Sequence, residues 1–82
     1  MRALGKEAPG VMGAFRELAS AASKEGALDT RTKELMALAI GIATCCDGCI
    51  AFHSRAALKA GATREEFVET IGVAVEMGGG PA

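Results

Sequence analysis

Residues 10–24 carry Val11, Phe15, Leu18, Ala19 and Ala22 at three- and four-residue spacing, the period of an α-helix with one apolar side. Pro9 suits that helix's entrance and Gly26 its exit. A second helix is expected over residues 30–44, with Asp29 as N-cap. Leu35, Leu38, Ala39 and Ile42 form one face, yet Met36, Ala37 and Ile40 leave little polar surface, so this helix belongs at the centre. A third runs from Asp47 or Gly48 to about Ala60, with Gly61 as its stop. A fourth opens at "TREE", where Thr63 caps and Glu66 completes a capping box. Phe67, Ile71, Ala74 and Val75 give its apolar face, and "GGGPA" ends it. No strand, repeat or linker interrupts the series. The expected fold is all-α, a small antiparallel helical domain occupying residues 1–82 as one unit.

A chain of 82 residues buries only about 60% of the surface it exposes when unfolded. One core of that size supplies ~3–5 kcal/mol. Half the residues are apolar but only three are aromatic, so much of the apolar content is alanine, which lets helices approach closely. Such a unit is expected to cover part of its surface with copies of itself. The net charge of −1 gives no electrostatic reason to expect nucleic acid or an anionic membrane as partner. "MRALGKEAPG" lacks the apolar run of a signal peptide, and "ELMALAIGIATCC" is too short to span a bilayer. A cytoplasmic protein is expected. In that reducing compartment a close cysteine pair is more often catalytic or metal-binding than a structural staple.

Such a pair is present. "CCDGCIAFH", residues 45–53, holds all three cysteines and the only histidine. At the start of the third helix, Cys46, Cys49 and His53 stand at i, i+3 and i+7, on one face. A cysteine at a helix N-terminus meets unpaired N–H groups that favour a thiolate. An ordinary thiol of pKa ~8.5 is only about 3% thiolate at neutral pH. Lowering it to ~6.5 requires ~2.7 kcal/mol, more than the ~0.3–1 kcal/mol a helix end usually contributes. His53 can add the remainder. The helix end favours Cys46 as the ionised sulfur and His53 favours Cys49, and spacing alone leaves both open. Asp47 points to another face. The short connection between helices two and three sets Glu34 about one turn from His53, so Glu34 is the carboxylate expected to orient the imidazole and shuttle its proton.

Other readings compete. Two cysteines and a histidine are zinc-ligand types, but consecutive turns of one helix rarely place three ligands tetrahedrally, and Cys45 points away as a fourth. No metal or cofactor is expected. Cysteines can also be small core residues, the competing reading for Cys46 and Cys49; Cys45 is read as a small residue at the helix end. Met36, Met77 and the three phenylalanines are read as core filler.

The spacing Glu34, eleven residues, Cys46, two residues, Cys49, three residues, His53 resembles the signature of alkylhydroperoxidase D-like proteins of the carboxymuconolactone decarboxylase superfamily. The similarity runs through "LDTRTKELMALAIGIATCCDGCIAFHSRAALKAGATREEFVETIGVAVEMGGGPA". It implies an all-helical subunit assembled as trimers or hexamers. It implies thiol-dependent peroxidase or disulfide reductase activity, on a hydroperoxide or disulfide, with an external dithiol as reductant. By the resemblance, Cys49 is the peroxidatic cysteine, Cys46 the resolving one, and Glu34 with His53 the proton relay. Asp47 and Gly48 stand where the best-studied peroxidases of the family carry a second histidine between the cysteines. Relatives continue past "GGGPA" with a further helix, which this domain is expected to lack. The alternatives are lactone decarboxylase chemistry, which does not need the cysteine pair, and a redox-sensing oligomer without turnover.

Overall fold

The computed structural model describes residues 8–79. The first seven residues, Pro81 and the end of "GGGPA" lie outside them. Four α-helices follow one another: α1 (Pro9–Ser23), α2 (Thr30–Ala43), α3 (Asp47–Lys59) and α4 (Arg64–Ala74). A π-helical turn, Val75–Gly79, extends α4. Among the described residues there is no strand, and no helix is long and apolar enough to cross a membrane.

Local chemistry explains the boundaries. Pro9 opens α1 at a position where its missing N–H is no loss. Asp29 caps α2 by accepting the Thr32 N–H at 2.8 Å. The Thr32 hydroxyl and N–H, and then Arg31, hold the Asp29 carboxyl below the usual carboxylate range. Thr63 and Glu66 form the reciprocal capping box, at 3.1 and 2.8 Å. Arg31 reaches from α2 to Glu66 at 3.2 Å and ties the start of α4 to the start of α2.

Helices α2 and α3 end in the same hydrogen-bonded motif with different residues at its strained position. After α3, Gly61 (φ 98°) donates to Leu58 O and Ala62 to Ala57 O. After α2, Cys45 (φ 57°) donates to Ile42 O and Cys46 to Gly41 O. Both are Schellman turns, in which the left-handed residue is usually glycine. Cys45 is exposed and, as a residue at the helix end, turns the chain from α2 into α3. A side chain in the left-handed region costs ~1–2 kcal/mol, partly offset by the ~0.4–1 kcal/mol by which glycine loosens the unfolded chain. Cys45→Gly is therefore expected to raise the melting temperature of the reduced protein, and calorimetry would register a drop if Cys45 had a packing role.

Helix α2 is central: it packs against α1, α3, α4 and the π-helical turn. The buried apolar residues among those described are Met12, Leu38, Ala57, Ala62 and Ala74. Small residues let the helices close. A Cβ added at Gly78 would stand 2.5 Å from Ala43 Cβ and 2.8 Å from Ala43 Cα, so the π-helical turn meets α2 through a bare backbone.

Much of the expected core lies outside. Val11, Phe15 and Leu18 on α1 are exposed, and Met12 is the residue of that helix that is buried. Met36, Met77, Phe15 and Phe52 are exposed and do not fill the core, and Phe67 is half-buried. Ile71 on α4 and Val75 at the start of the π-helical turn are exposed, leaving Ala74 as the buried member of that face. The cause is geometric. Three other short helices and the π-helical turn pack on α2, and among the described residues α1 packs against α2 alone. The remaining apolar stripes find no partner among the described residues.

Candidate active site

The end of α2 and the start of α3 assemble the site. Cys46 is the N-cap of α3, in extended conformation, and its Sγ accepts the Cys49 N–H at 3.4 Å. One turn on, Cys49 Sγ lies 2.6 Å from Cys46 Sγ. All three thiols are free. A further turn on, His53 Nδ1 stands 2.7 Å from Glu34 Oε2. Glu34 is the buried charged residue of the described chain, while His53 keeps partial contact with solvent. The Phe52 ring packs edge-on against the imidazole, centroids 5.0 Å apart. The antiparallel α2–α3 hairpin thus brings Glu34 and His53 together from positions 19 residues apart.

The hydrogen bonds dictate which nitrogen is available. An ionised Glu34 only accepts, so His53 donates through Nδ1, and Nε2 is left to take or give a proton. Cys49 and His53 are four residues apart on α3, neighbours on one face at ~5–6 Å between Cβ atoms. A cleft of about 610 Å³, lined by Glu25, Asp29, Arg31, Glu34, Lys59 and Ala60 among others, reaches the carboxylate but neither sulfur. Among the described residues no three His, Cys, Asp or Glu side chains are grouped as a metal ion requires.

The two sulfurs are not equivalent. The sulfur–sulfur contact with Cys49 and the Cys49 N–H hold the Cys46 thiol below its ordinary pKa, against some burial and the nearby Asp47 charge. The same contact stabilises the protonated form of Cys49 and pushes its pKa up, with burial and the neighbouring Cys46 acting in the same direction. Helix spacing leaves the choice between the two sulfurs open. The acidifying contacts fall on Cys46, because the N-cap collects the donors of the first turn. With Cys45 replaced by serine, Cys46 should therefore react first with limiting iodoacetamide near pH 7, and Cys49 only as the pH rises. Peptide mapping that found Cys49 labelled first would reverse the assignment.

Gly41 was not singled out from the sequence. It is buried on α2, and a Cβ there would lie 3.1 Å from Cys49 Cβ. The only sequence signal was a glycine inside a helix whose other residues favour helix.

Residues 9–82 match the profile of the Carboxymuconolactone decarboxylase family. The chain belongs to this family. A carboxymuconolactone decarboxylase family protein from Legionella pneumophila has a similar structure, with TM-score 0.87 and 55% identity over 98% of this chain and 71% of that one. A second, from Thermotoga maritima and a candidate antioxidative-response protein, gives TM-score 0.77 and 37% identity over 82% of this chain and 69% of its own. An uncharacterized protein of Cupriavidus necator is 43% identical over 96% of this chain and 70% of its own length. An uncharacterized protein encoded in a cox locus of Paracoccus denitrificans is 45% identical over 84% of this chain, which spans 62% of that relative. The carboxymuconolactone decarboxylase family holds both decarboxylases and thiol peroxidases, so membership leaves the reaction to be argued from the site.

Proposed function

We propose that this family member is a thiol–disulfide oxidoreductase with peroxidase-like activity. The observation that carries the reading is the Cys46–Cys49 pair, 2.6 Å between sulfurs, one turn from a histidine held at 2.7 Å by a buried carboxylate. A decarboxylase has no use for that pair. In the oxidative half-reaction His53 Nε2 takes the Cys49 proton. The Cys49 thiolate attacks a hydroperoxide oxygen, the O–O bond breaks, and the alcohol leaves with a proton returned from His53. Cys49 is then a sulfenic acid. The Cys46 thiolate attacks its sulfur, the S–O bond breaks, and water departs with a further proton. The product is the Cys46–Cys49 disulfide.

An external dithiol reverses this. Its thiolate attacks Cys46, Cys49 leaves and is protonated by His53, and the second external thiol releases Cys46. The polarity of the pair suits these roles. Cys46, already favoured as a thiolate, is ready to resolve, whereas Cys49 holds its proton and depends on a base. Glu34 orients that base, and the cleft beside Glu34 gives the relay access to water.

The test is turnover of hydroperoxide and of small disulfides with several dithiol donors, comparing the wild type with Cys49→Ser. Turnover should vanish in the variant. A disulfide that forms in the wild type but never turns over would point to a redox-sensing oligomer instead.

Assembly belongs to the same reading. Met36, Ile40, Phe52, Leu58 and Val73 are exposed apolar side chains that copies of the chain would cover. Light scattering at micromolar concentration should give a homo-oligomer, a trimer or hexamer by the family resemblance. A soluble monomer under those conditions counts against it.

A further inference from the structure

Gly41 touches both sulfur-bearing residues, each in a different way. A Cβ built on it would stand 3.1 Å from Cys49 Cβ, 3.5 Å from Ile50 N and 3.6 Å from the Cys49 carbonyl carbon. Its own carbonyl oxygen accepts the Cys46 N–H at 2.9 Å, as part of the Schellman turn that ends α2. Glycine inside a helix is ~0.5–1 kcal/mol less favourable than alanine. Local propensity therefore does not account for this residue, whereas the close approach of α3 does.

We propose that Gly41 is a positioning residue for the dithiol: its bare Cα sets how near Cys49 comes, while its carbonyl holds Cys46. The inference rests on the reading of Cys46 and Cys49 as a redox couple. Cys46 is anchored to α2 through its N–H. Cys49 rides on the first turn of α3. A methyl group at position 41 pushes α3 away without releasing Cys46, so the two sulfurs separate. A disulfide requires Cβ atoms ~3.5–4.5 Å apart, and separation therefore disfavours the oxidised form more than the dithiol.

The experiment equilibrates the full chain with mixtures of oxidised and reduced dithiothreitol and measures the fraction of Cys46–Cys49 disulfide by alkylation and mass. In this exchange the protein's S–S bond forms as the reagent's breaks. Two electrons and two protons pass to the reagent. Gly41→Ala should lower the equilibrium constant for protein disulfide formation by roughly tenfold, about 30 mV for a two-electron couple. Gly78→Ala is the control. It places a methyl against Ala43 of the same helix and touches neither sulfur, so it should lower the melting temperature and leave the equilibrium constant unchanged.

An unchanged constant in Gly41→Ala, or an equal shift in Gly78→Ala, overturns the inference while leaving the redox reading intact. A wild type with no reversible disulfide overturns both. If Gly41→Ala folds poorly, melting curves in a Cys49→Gly background decide. Removing the opposing Cβ should reduce the loss caused by Gly41→Ala, and an undiminished loss counts against the contact.

Discussion

His53→Gln is expected to slow dithiol-dependent hydroperoxide turnover by roughly 10²–10⁴-fold near neutral pH, the range of general acid–base assistance. The contact with Cys46 and burial push the Cys49 pKa up, so little thiolate forms there unaided. Glutamine preserves the hydrogen-bonding shape but cannot take the proton. Glu34→Gln should give a smaller loss, on the order of 10–100-fold, because the imidazole remains but loses the carboxylate that fixes its tautomer. Combining the two should cost little more than His53→Gln alone, since they act as one unit. The pH profile separates this from misfolding. As the pH rises toward the raised pKa of Cys49, that sulfur ionises without help, and the deficit of both variants should shrink. A deficit constant across pH, with unchanged labelling of Cys46, would falsify the relay.

Leu38→Ala should lower the unfolding free energy by about 2–5 kcal/mol, read from urea titrations. Leu38 is 2% exposed and is the large side chain that α2 buries completely. The other buried apolar residues of the described chain are Met12 and three alanines, so no neighbour can relax far enough to fill the void. Domains of this length hold roughly 4–12 kcal/mol in total, at ~0.05–0.15 kcal/mol per residue. The substitution thus removes a large share of the stability. Leu38 also follows Glu34 by one turn of α2, so the carboxylate should lose its fixed position together with the core. A loss below 1 kcal/mol would mean that contacts between chains, not this core, hold α2 in place.

What was legible in the sequence was local. Asp29, Thr63 and Glu66 announce their helix starts because capping depends on residues within one turn. Cys46, Cys49 and His53 share a face by helix periodicity alone. Glu34 was reachable because a three-residue connection forces α2 and α3 to fold back on one another. Burial was not legible to the same degree. Phe15, Phe52 and Met77 look like core in a pattern that counts apolar residues, yet whether they are covered depends on which elements lie opposite, and four short helices do not reach them. The order of thiol acidity was hidden for a similar reason. It turns on a sulfur-to-sulfur contact and on which residue takes the N-cap, neither of which spacing determines. Gly41 shows its role only when the opposing Cβ of Cys49 is located.

The α2–α3 hairpin carries one more consequence. Glu34, Gly41, Cys46, Cys49 and His53 all fall within a span whose ends are 19 residues apart, and the bond closing it is the Glu34–His53 contact. Loop-closure entropy rises only by ~0.6 kcal/mol for each doubling of length, and helix-rich segments of low contact order form fast. The proposed reactive centre is therefore a contiguous cassette: a helix–turn–helix grafted onto another helical scaffold that offers a small residue opposite Cys49 would bring Glu34, His53 and both thiols together in one piece.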